Sequence, residues 1–163
     1  MELLTEIDSE RDLSPYELER GKPMPDTIHA AIQSNISFEM KTHYRETYRC
    51  LSEISLATLP ESTTPDIAIY PAFPLDFDHR TVKRSDAPLV CIEIQSPSQS
   101  TEQMVDKTQV YFEFGVRSCW IILPAVKGVF VYDRPGNYEF YHGDELVRDP
   151  NLHFELSLPA LFE

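Results

Sequence analysis

The spacing of hydrophobic residues predicts a helix in the first third of the chain. From Thr27 to about Arg49, apolar residues recur three or four positions apart, as they do on the buried face of an amphipathic helix. The predicted apolar stripe comprises Ile28, Ala31, Ile32, Ile36, Met40 and Tyr44. Asp26 directly precedes this segment and is expected to cap the helix.

After this helix the hydrophobic pattern changes to short runs bounded by turn residues, which predict β-strands. These strands are expected in SEISLATL, TPDIAIYP, APLVCIEIQS, SCWIILP, GVFVYDR and NYEFYHG. A proline-rich, charged loop at residues 71–87 separates the second strand from the third. Residues 134–137, between the last two strands, are typical of a hairpin turn.

A second helix is predicted between the third and fourth strands. Ser100 and Gln103 have capping-box spacing and Gly115 stands where a C-cap glycine is expected, so the helix has about 14 residues. The order is one helix, three strands, one helix and two or three strands. This order predicts an α/β fold in which helices cover a mixed sheet.

Composition indicates one domain. The chain has 163 residues, of which 42% are hydrophobic and 25% charged, and this length is sufficient for a core without disulfides or metal. Residues 1–25 are expected to form an N-terminal arm or hairpin of the same domain, because Pro15 and Pro23 disfavour a long helix there. Residues 26–163 are expected to form the main body of the domain.

Cysteine usage and the N-terminal sequence indicate a reducing compartment. Cys50, Cys91 and Cys119 make an odd count, and the last two lie in apolar runs, so they are expected to be reduced core residues. The acidic start lacks the pattern of a signal peptide, and no apolar run reaches membrane-spanning length. We therefore expect a cytoplasmic protein with no membrane partner.

The charge balance restricts the partners. The chain has 27 acidic and 14 basic residues, a formal net charge of −13, which is the opposite of what a surface that coats nucleic acid needs. A polyanion such as DNA would have to be bound locally or through metal. The aromatic residues of the last strands lack the interleaved basic residues of a base-stacking platform and are expected in the core or at a dimer surface. They are Trp120, Phe130, Tyr132, Tyr138, Phe140 and Tyr141.

A carboxylate interrupts the third predicted strand. A strand period of two places Glu93 and Gln95 on one face with Cys91, opposite three β-branched residues. A carboxylate on such a strand is costly unless it is paired, protonated or bound to a cation. The alternative is a strand end at which Glu93 and Gln95 emerge into solvent.

Asp66 begins the preceding strand, directly after Pro65. If the two strands pair antiparallel across the loop at 71–87, Asp66 is expected toward the end of its partner that is far from Glu93. A register shift or a bend would instead let the two carboxylates converge, and the sequence leaves this register open. A Pro-Asp pair is also an ordinary turn ending.

The second helix carries a lysine within its apolar stripe. Spacings of three and four residues place Lys107 among Met104, Tyr111 and Phe114. One interpretation is that the ammonium reaches solvent while the four-carbon stem covers apolar surface. The other is that Lys107 faces Glu93 or Asp66.

Four of these residues have the chemistry needed for metal-assisted phosphodiester cleavage, namely Asp66, Glu93, Gln95 and Lys107. Carboxylates hold Mg²⁺, which lowers the pKa of a bound water and neutralises charge on the phosphate. A lysine or an amide nearby orients that water. Bound metal would also reconcile a nucleic-acid substrate with an acidic protein, since two carboxylates alone repel phosphate.

Several segments together carry a resemblance to a known family. They are YELERGKPM, His29, PDIAIYP, LVCIEIQSPSQSTEQMVDKTQVYFEFGV and SCWIILP, and they extend over nearly the whole chain. On these residues the sequence resembles a bacterial restriction endonuclease family within the PD-(D/E)xK nuclease superfamily. The resemblance implies a restriction endonuclease-like mixed-sheet core over residues 26–163. It also implies that Asp66 and Glu93 converge as ligands of Mg²⁺ or Mn²⁺.

The resemblance assigns roles to further residues. Pro65-Asp66 and Glu93-Ile94-Gln95 match the two family motifs, and Gln95 stands where the superfamily usually has a lysine. Glutamine can hold a water but carries no positive charge. Either Lys107, with Tyr111 one turn further along the helix, supplies that charge, or activity is reduced.

The N-terminal motif adds auxiliary candidates. An acidic residue of YELERGKPM is expected near the metal, with Glu17 slightly favoured over Glu19. His29 either hydrogen-bonds a neighbouring loop or contacts the metal site or a phosphate.

The leading hypothesis is a divalent-metal-dependent DNA endonuclease of unknown specificity, and a homodimer would suit a double-strand cutter. The alternative is a nuclease-fold binding or assembly module with weak or absent catalysis, which dimerises through a sheet edge or an aromatic surface. The acidic balance and the missing motif lysine favour the module. A metal-dependent hydrolase of RNA or another phosphoester would use the same residues.

Overall fold

The structure is a computed structural model that describes residues 14–20 and 22–163, without the side chains of Glu19 and Arg20. The helices are α1 (Pro15–Arg20), α2 (Thr27–Tyr44), α3 (Thr101–Phe114) and α4 (Leu158–Leu161), with a 3-10 turn at Pro124–Val126. The strands are β1 (Tyr48–Ser52), β2 (Ser55–Leu56), β3 (Ile67–Pro71), β4 (Lys83–Arg84), β5 (Val90–Ile94), β6 (Ser118–Leu123), β7 (Gly128–Arg134), β8 (Asn137–Tyr141), β9 (Leu146–Arg148) and β10 (Glu155–Ser157). None of these helices combines the length and hydropathy needed to cross a lipid bilayer.

Six strands form the central sheet, in the order β1-β3-β5-β6-β7-β8. Strands β5 and β6 are parallel and α3 makes the crossover between them, whereas the other neighbours are antiparallel. The short pairs β2–β4 and β9–β10 form separate ladders. The predicted α/β fold, a mixed sheet with flanking helices, is confirmed.

The two faces of the sheet carry separate hydrophobic layers. On one face α2 and α4 pack against β-branched strand residues such as Ile67 and Ile92. On the other face α3 packs through Met104 and Tyr111 near Cys91. The period of two predicted for β5 is confirmed, because Cys91 and Ile92 belong to opposite layers.

The cysteines are unpaired, as the sequence predicted. Cys91 and Cys119 are register neighbours in β5 and β6, and both are buried. Burial raises the pKa of both thiols well above the usual value. Both side chains therefore stay protonated and act as small apolar core residues.

The boundary between the first helix and the first strand was predicted wrongly. Helix α2 ends at Tyr44 rather than near Arg49, because β1 begins at Tyr48. In the predicted strand SEISLATL, only Ser52, the end of β1, and β2 lie in strands. Tyr44 and Tyr48 are four positions apart, a spacing that suits one face of a helix. In the structure both pack against the core, Tyr44 from the end of α2 and Tyr48 from the start of β1.

The buried stripe of α2 is narrower than predicted. Ile32, Ile36 and Met40 are buried in a row of four-residue steps, but Ile28 and Ala31 are exposed. His29 is buried in their place. The buried residues of α2 thus form one row at i, i+4 and i+8, with His29 one turn ahead of it.

The segment before α2 contains a short helix. Pro15 begins α1, and the Ser14 hydroxyl accepts a hydrogen bond from the backbone N–H of Glu17 at 3.1 Å, which is the arrangement of an N-cap followed by proline. Residues 22–26 contain neither helix nor strand. Within residues 1–25 the structure thus describes a short helix followed by residues without regular structure, and the arm or hairpin expected for the whole segment stays a prediction.

The register of β3 against β5 brings the two motif strands together. The strands are antiparallel, with Ile67 opposite Ile92 and Ala68 opposite Cys91. One further step along this register places Asp66 opposite Glu93. The expectation that antiparallel pairing would separate these carboxylates was wrong, because the start of one antiparallel strand lies beside the end of its neighbour.

Helix α3 has both predicted caps. The Ser100 hydroxyl accepts from the Gln103 N–H at 3.1 Å, and the Gln103 side chain accepts from the Ser100 N–H at 3.0 Å. Gly115 ends the helix with a φ of 113°, a conformation that favours glycine. These caps fix the helix that carries Tyr111 and Lys107.

Replacing Ser100 with alanine is expected to lower the free energy of unfolding by about 1 kcal/mol, because the first turn of α3 loses its side-chain acceptor. Urea denaturation followed by circular dichroism measures the change. Ser100→Thr is the matched control, since threonine keeps the hydroxyl. Equal destabilisation by both variants would contradict a capping role.

Candidate functional site

Asp66 and Glu93 form a buried carboxylate pair at one end of the sheet. Asp66 precedes β3, Glu93 lies in β5, and the two residues are 0% and 3% exposed. The pair is bridged by Lys22, whose Nζ lies 2.5 Å from Asp66 Oδ1 and 3.4 Å from Glu93 Oε2. Three buried ionisable side chains thus meet where the register of β3 and β5 aligns the two acids.

Asp66 is held by donors from three elements. The backbone N–H of Ile94 donates to Asp66 Oδ2 at 2.7 Å, and His29 Nε2 lies 3.1 Å from the same oxygen. Burial raises the pKa of Asp66, but the His29 hydrogen bond, the charge of Lys22 and the Ile94 hydrogen bond together hold it well below the usual range. Asp66 is therefore ionised.

Glu93 is held from helix α3. The Tyr111 hydroxyl donates a hydrogen bond to Glu93 Oε1, and Lys107 Nζ lies 3.7 Å from the same oxygen. Burial and the charge of Glu93 raise the pKa of Tyr111 well above its usual value, so the phenol remains a donor. Lys107 therefore faces Glu93, which was one of the two interpretations of a lysine within the apolar stripe. Its side chain is nevertheless 26% exposed.

Lys22 is the site residue that sequence analysis missed. It follows Gly21 and precedes Pro23 in a segment without regular structure, so no periodicity marks it as buried. Its partners Asp66 and Glu93 are 44 and 71 positions away along the chain. The available signal was its position inside YELERGKPM, the segment already noted for its acidic residues.

His29 contacts the carboxylate pair rather than only a loop. Its side chain is buried, and Nε2 meets Asp66 as described above. Its other ring nitrogen, Nδ1, has no hydrogen-bond partner among the described residues. His29 replaces apolar residues in the buried row of α2 because its side chain is directed to Asp66.

Two of the remaining predicted residues, Glu17 and Gln95, have described contacts with neighbouring segments. Glu17 is buried and accepts a hydrogen bond from the Met24 N–H at 3.3 Å, which ties α1 to the segment that carries Lys22. The side chain of Glu19 lies outside the described residues. Gln95 donates to the Gln99 carbonyl at 2.9 Å and lines a groove of about 820 Å³ beside the start of α2.

The donor chemistry fits a hard divalent cation. Among the residues that the structure describes, no three His, Cys, Asp or Glu side chains converge as a complete metal-ligand set. Mg²⁺ needs only one or two carboxylates because waters and substrate phosphates complete its shell, and Asp66 with Glu93 supplies them. Zinc, which takes three or four protein ligands, does not fit this set.

Replacing Tyr111 with phenylalanine is expected to lower the free energy of unfolding by about 1–3 kcal/mol, because a buried carboxylate, Glu93, loses its hydroxyl donor. Urea denaturation measures the loss. Tyr138→Phe is the matched control, since Tyr138 is 53% exposed. An equal effect of the two substitutions would contradict a special role for the Tyr111–Glu93 contact.

Comparison with known proteins bears on the family and the fold. The family model Uma2, described as "Putative restriction endonuclease", matches residues 5–161. The crystal structure of a putative nuclease belonging to DUF820 from Anabaena variabilis ATCC 29413 is similar with a TM-score of 0.73 and 30% sequence identity, over 86% of this chain and 83% of that chain. No curated protein gives a significant match. The restriction endonuclease-like fold expected from the sequence is confirmed.

Proposed function

Because the chain belongs to the restriction endonuclease family Uma2, we propose that it is a divalent-metal-dependent endonuclease that hydrolyses phosphodiester bonds in DNA. One observation carries the proposal. Asp66, directly before β3, and Glu93, in the adjacent strand β5, are buried side by side, and Lys22 contacts both of them. Such a pair is costly to bury in a purely structural role.

Asp66 and Glu93 are the residues that would hold Mg²⁺ or Mn²⁺. The chemistry that a bound cation would supply is activation of a water and neutralisation of charge on the scissile phosphate. His29 and the Ile94 N–H orient Asp66, and Tyr111 orients Glu93. These contacts leave the carboxylates little freedom to rotate, which favours a defined arrangement of ligands.

Lys107 is the residue best placed to replace the missing motif lysine. Its Nζ lies 3.7 Å from Glu93 and 26% of its side chain is exposed, so its ammonium is accessible both to that carboxylate and to a phosphate arriving from solvent. Gln95 bears no charge, and its amide is engaged by the Gln99 carbonyl. We assign Lys107 the stabilisation of charge in the transition state.

The test is the nicking of supercoiled plasmid in the presence of Mg²⁺, Mn²⁺ or a chelator. We expect metal-dependent nicking that the chelator abolishes and that Glu93→Gln reduces. Lys107→Met is expected to lower the rate by about 10–1,000-fold, through loss of a transition-state charge. Lys41→Met removes the same charge from an exposed position on α2 and is expected to leave the rate unchanged. Equal trace activity in all proteins, or activity in the chelator, would contradict the proposal.

Two observations favour a second candidate, a nuclease-fold binding or assembly module. Lys22 already supplies a positive charge to the carboxylate pair, and the net charge of −13 disfavours broad contact with DNA. Calorimetric titration with Mn²⁺ distinguishes the two candidates, since a binding module predicts no Mn²⁺ binding that depends on Asp66 and Glu93.

RNA as the substrate instead of DNA is tested by adding labelled RNA to the same reactions. A homodimer, suited to cutting both strands, is tested by analytical ultracentrifugation.

A further inference from the structure

Lys22 stands in the position where a bridging cation would neutralise the carboxylate pair. Its ammonium contacts one oxygen of Asp66 and one of Glu93, and the whole residue is 7% exposed. A divalent cation held by the same two carboxylates would compete for the same space, and its charge of +2 would offset both acids where the ammonium offsets only one. The two cations are therefore alternatives.

We propose that Lys22 is the resident counter-ion of this site, which occupies the position of the divalent cation and leaves it when the metal binds. The inference rests on the proposed metal-dependent function and adds a residue to it. It assigns to the segment before α2 a direct influence on the affinity for metal.

Electrostatics makes joint occupancy unfavourable. A divalent cation and an ammonium within a few ångströms of each other repel strongly in a buried site, where water does not screen them. Asp66 and Glu93 together bring two negative charges, which one divalent cation balances without Lys22. Lysine suits this exchange because its ammonium is a point charge on a flexible stem with no fixed fork geometry.

Lys107 does not compete in the same way. It approaches Glu93 alone, at 3.7 Å, and keeps 26% of its side chain exposed. Lys22 instead touches both acids and is carried by residues 22–26, which belong to neither a helix nor a strand. The two lysines therefore differ in role. Lys22 touches both acids that would hold the metal, and Lys107 touches only one of them.

Competition predicts that one substitution has two opposite effects. Without metal, Lys22→Met leaves two buried carboxylates without their shared cation, so the protein melts at a lower temperature. When metal is added, the Lys22→Met variant has no ammonium that competes for the carboxylates. Its apparent affinity for the cation is therefore higher than that of the wild type, in which Lys22 blocks the site in part of the molecules. A lysine that serves only as packing or as part of the metal site would lower both stability and affinity.

The first experiment is calorimetric titration of the metal-free full chain with Mn²⁺. We expect Lys22→Met to bind Mn²⁺ at least about tenfold more tightly than the wild type, and Mn²⁺ to raise its melting temperature by more. Lys41→Met is the matched control for the loss of one positive charge and is expected to match the wild type. Asp66→Asn reports whether the binding takes place at this site.

The outcomes separate the inference from the function it rests on. If Lys22→Met binds Mn²⁺ no more tightly than the wild type while Asp66→Asn abolishes binding, the counter-ion role is overturned and the metal site stands. If Mn²⁺ binding is absent from the wild type and from every variant, both proposals fail.

A second measurement needs no variant and covers a Lys22→Met protein that does not fold. Wild-type protein is labelled with an amine-reactive reagent with and without saturating Mn²⁺, and labelling of each lysine is read by peptide mass spectrometry. Lys22 is expected to be protected without metal and to gain labelling when Mn²⁺ displaces it, while Lys41 stays constant. Unchanged or reduced labelling of Lys22 at saturating Mn²⁺ would overturn the inference.

Discussion

Asp66→Asn is expected to reduce metal-dependent plasmid nicking by at least about 100-fold. Asparagine has nearly the same shape and can still accept the Ile94 N–H, but it removes the charge that a divalent cation and Lys22 both need. The rate of conversion of supercoiled to nicked plasmid measures the loss at matched protein concentration. Circular dichroism spectra and melting temperatures establish that the variant is folded.

Asp78→Asn is the matched control for this substitution. Asp78 lies exposed in the loop between β3 and β4, so the same chemical change there is expected to leave nicking unchanged. Nicking by a folded Asp66→Asn protein at the wild-type rate would show that the activity arises elsewhere. The candidate site would then lose its catalytic assignment.

Trp120→Ala is expected to lower the free energy of unfolding by about 3–5 kcal/mol, the largest stability effect that we predict. Trp120 is fully buried in β6 and stacks on Phe154, with ring centroids 5.4 Å apart. Its indole N–H donates to Asp149 at 2.9 Å, so alanine leaves a cavity and removes a donor from a buried carboxylate. Urea denaturation monitored by far-ultraviolet circular dichroism measures the change.

Two further variants locate the source of this effect. Trp120→Phe keeps an aromatic ring against Phe154 and loses only the N–H, so a smaller loss is expected. Tyr138→Ala removes an aromatic residue that is half-exposed on the edge strand β8 and is expected to cost about 1 kcal/mol or less. A Trp120→Ala protein as stable as Tyr138→Ala would contradict the assignment of Trp120 to the core.

The strand faces and helix caps were predictable because they depend on neighbouring residues. Cys91 and Glu93 fell on the predicted face of β5, and Ser100 and Gly115 cap α3 as predicted. The period of a strand and the hydrogen bonds of a cap are local properties of a few residues. They therefore do not depend on the tertiary contacts of distant segments.

The end of α2 at Tyr44 and the contact of Lys22 with the carboxylate pair depend on residues that are distant in the sequence. The segment after α2 suits either a helix or a strand, and its pairing with β3 decided the outcome. Lys22 is buried only because distant strands bring Asp66 and Glu93 to it. By contrast, antiparallel pairing places the start of one strand beside the end of its neighbour, so the closeness of those two acids follows from local geometry and the expectation that they would be separated was wrong.

The register of β3 against β5 brings Asp66 and Glu93 together. The length of the connection between the two strands therefore does not determine the distance between the acids. Residues 71–87 leave β3 and enter β5 at the ends remote from both acids, and residues 74–82 are exposed. Lengthening such a connection costs little closure entropy. Family members can therefore differ in this loop, and an engineer can insert a fluorophore or an affinity sequence there, while the two carboxylates keep their spacing.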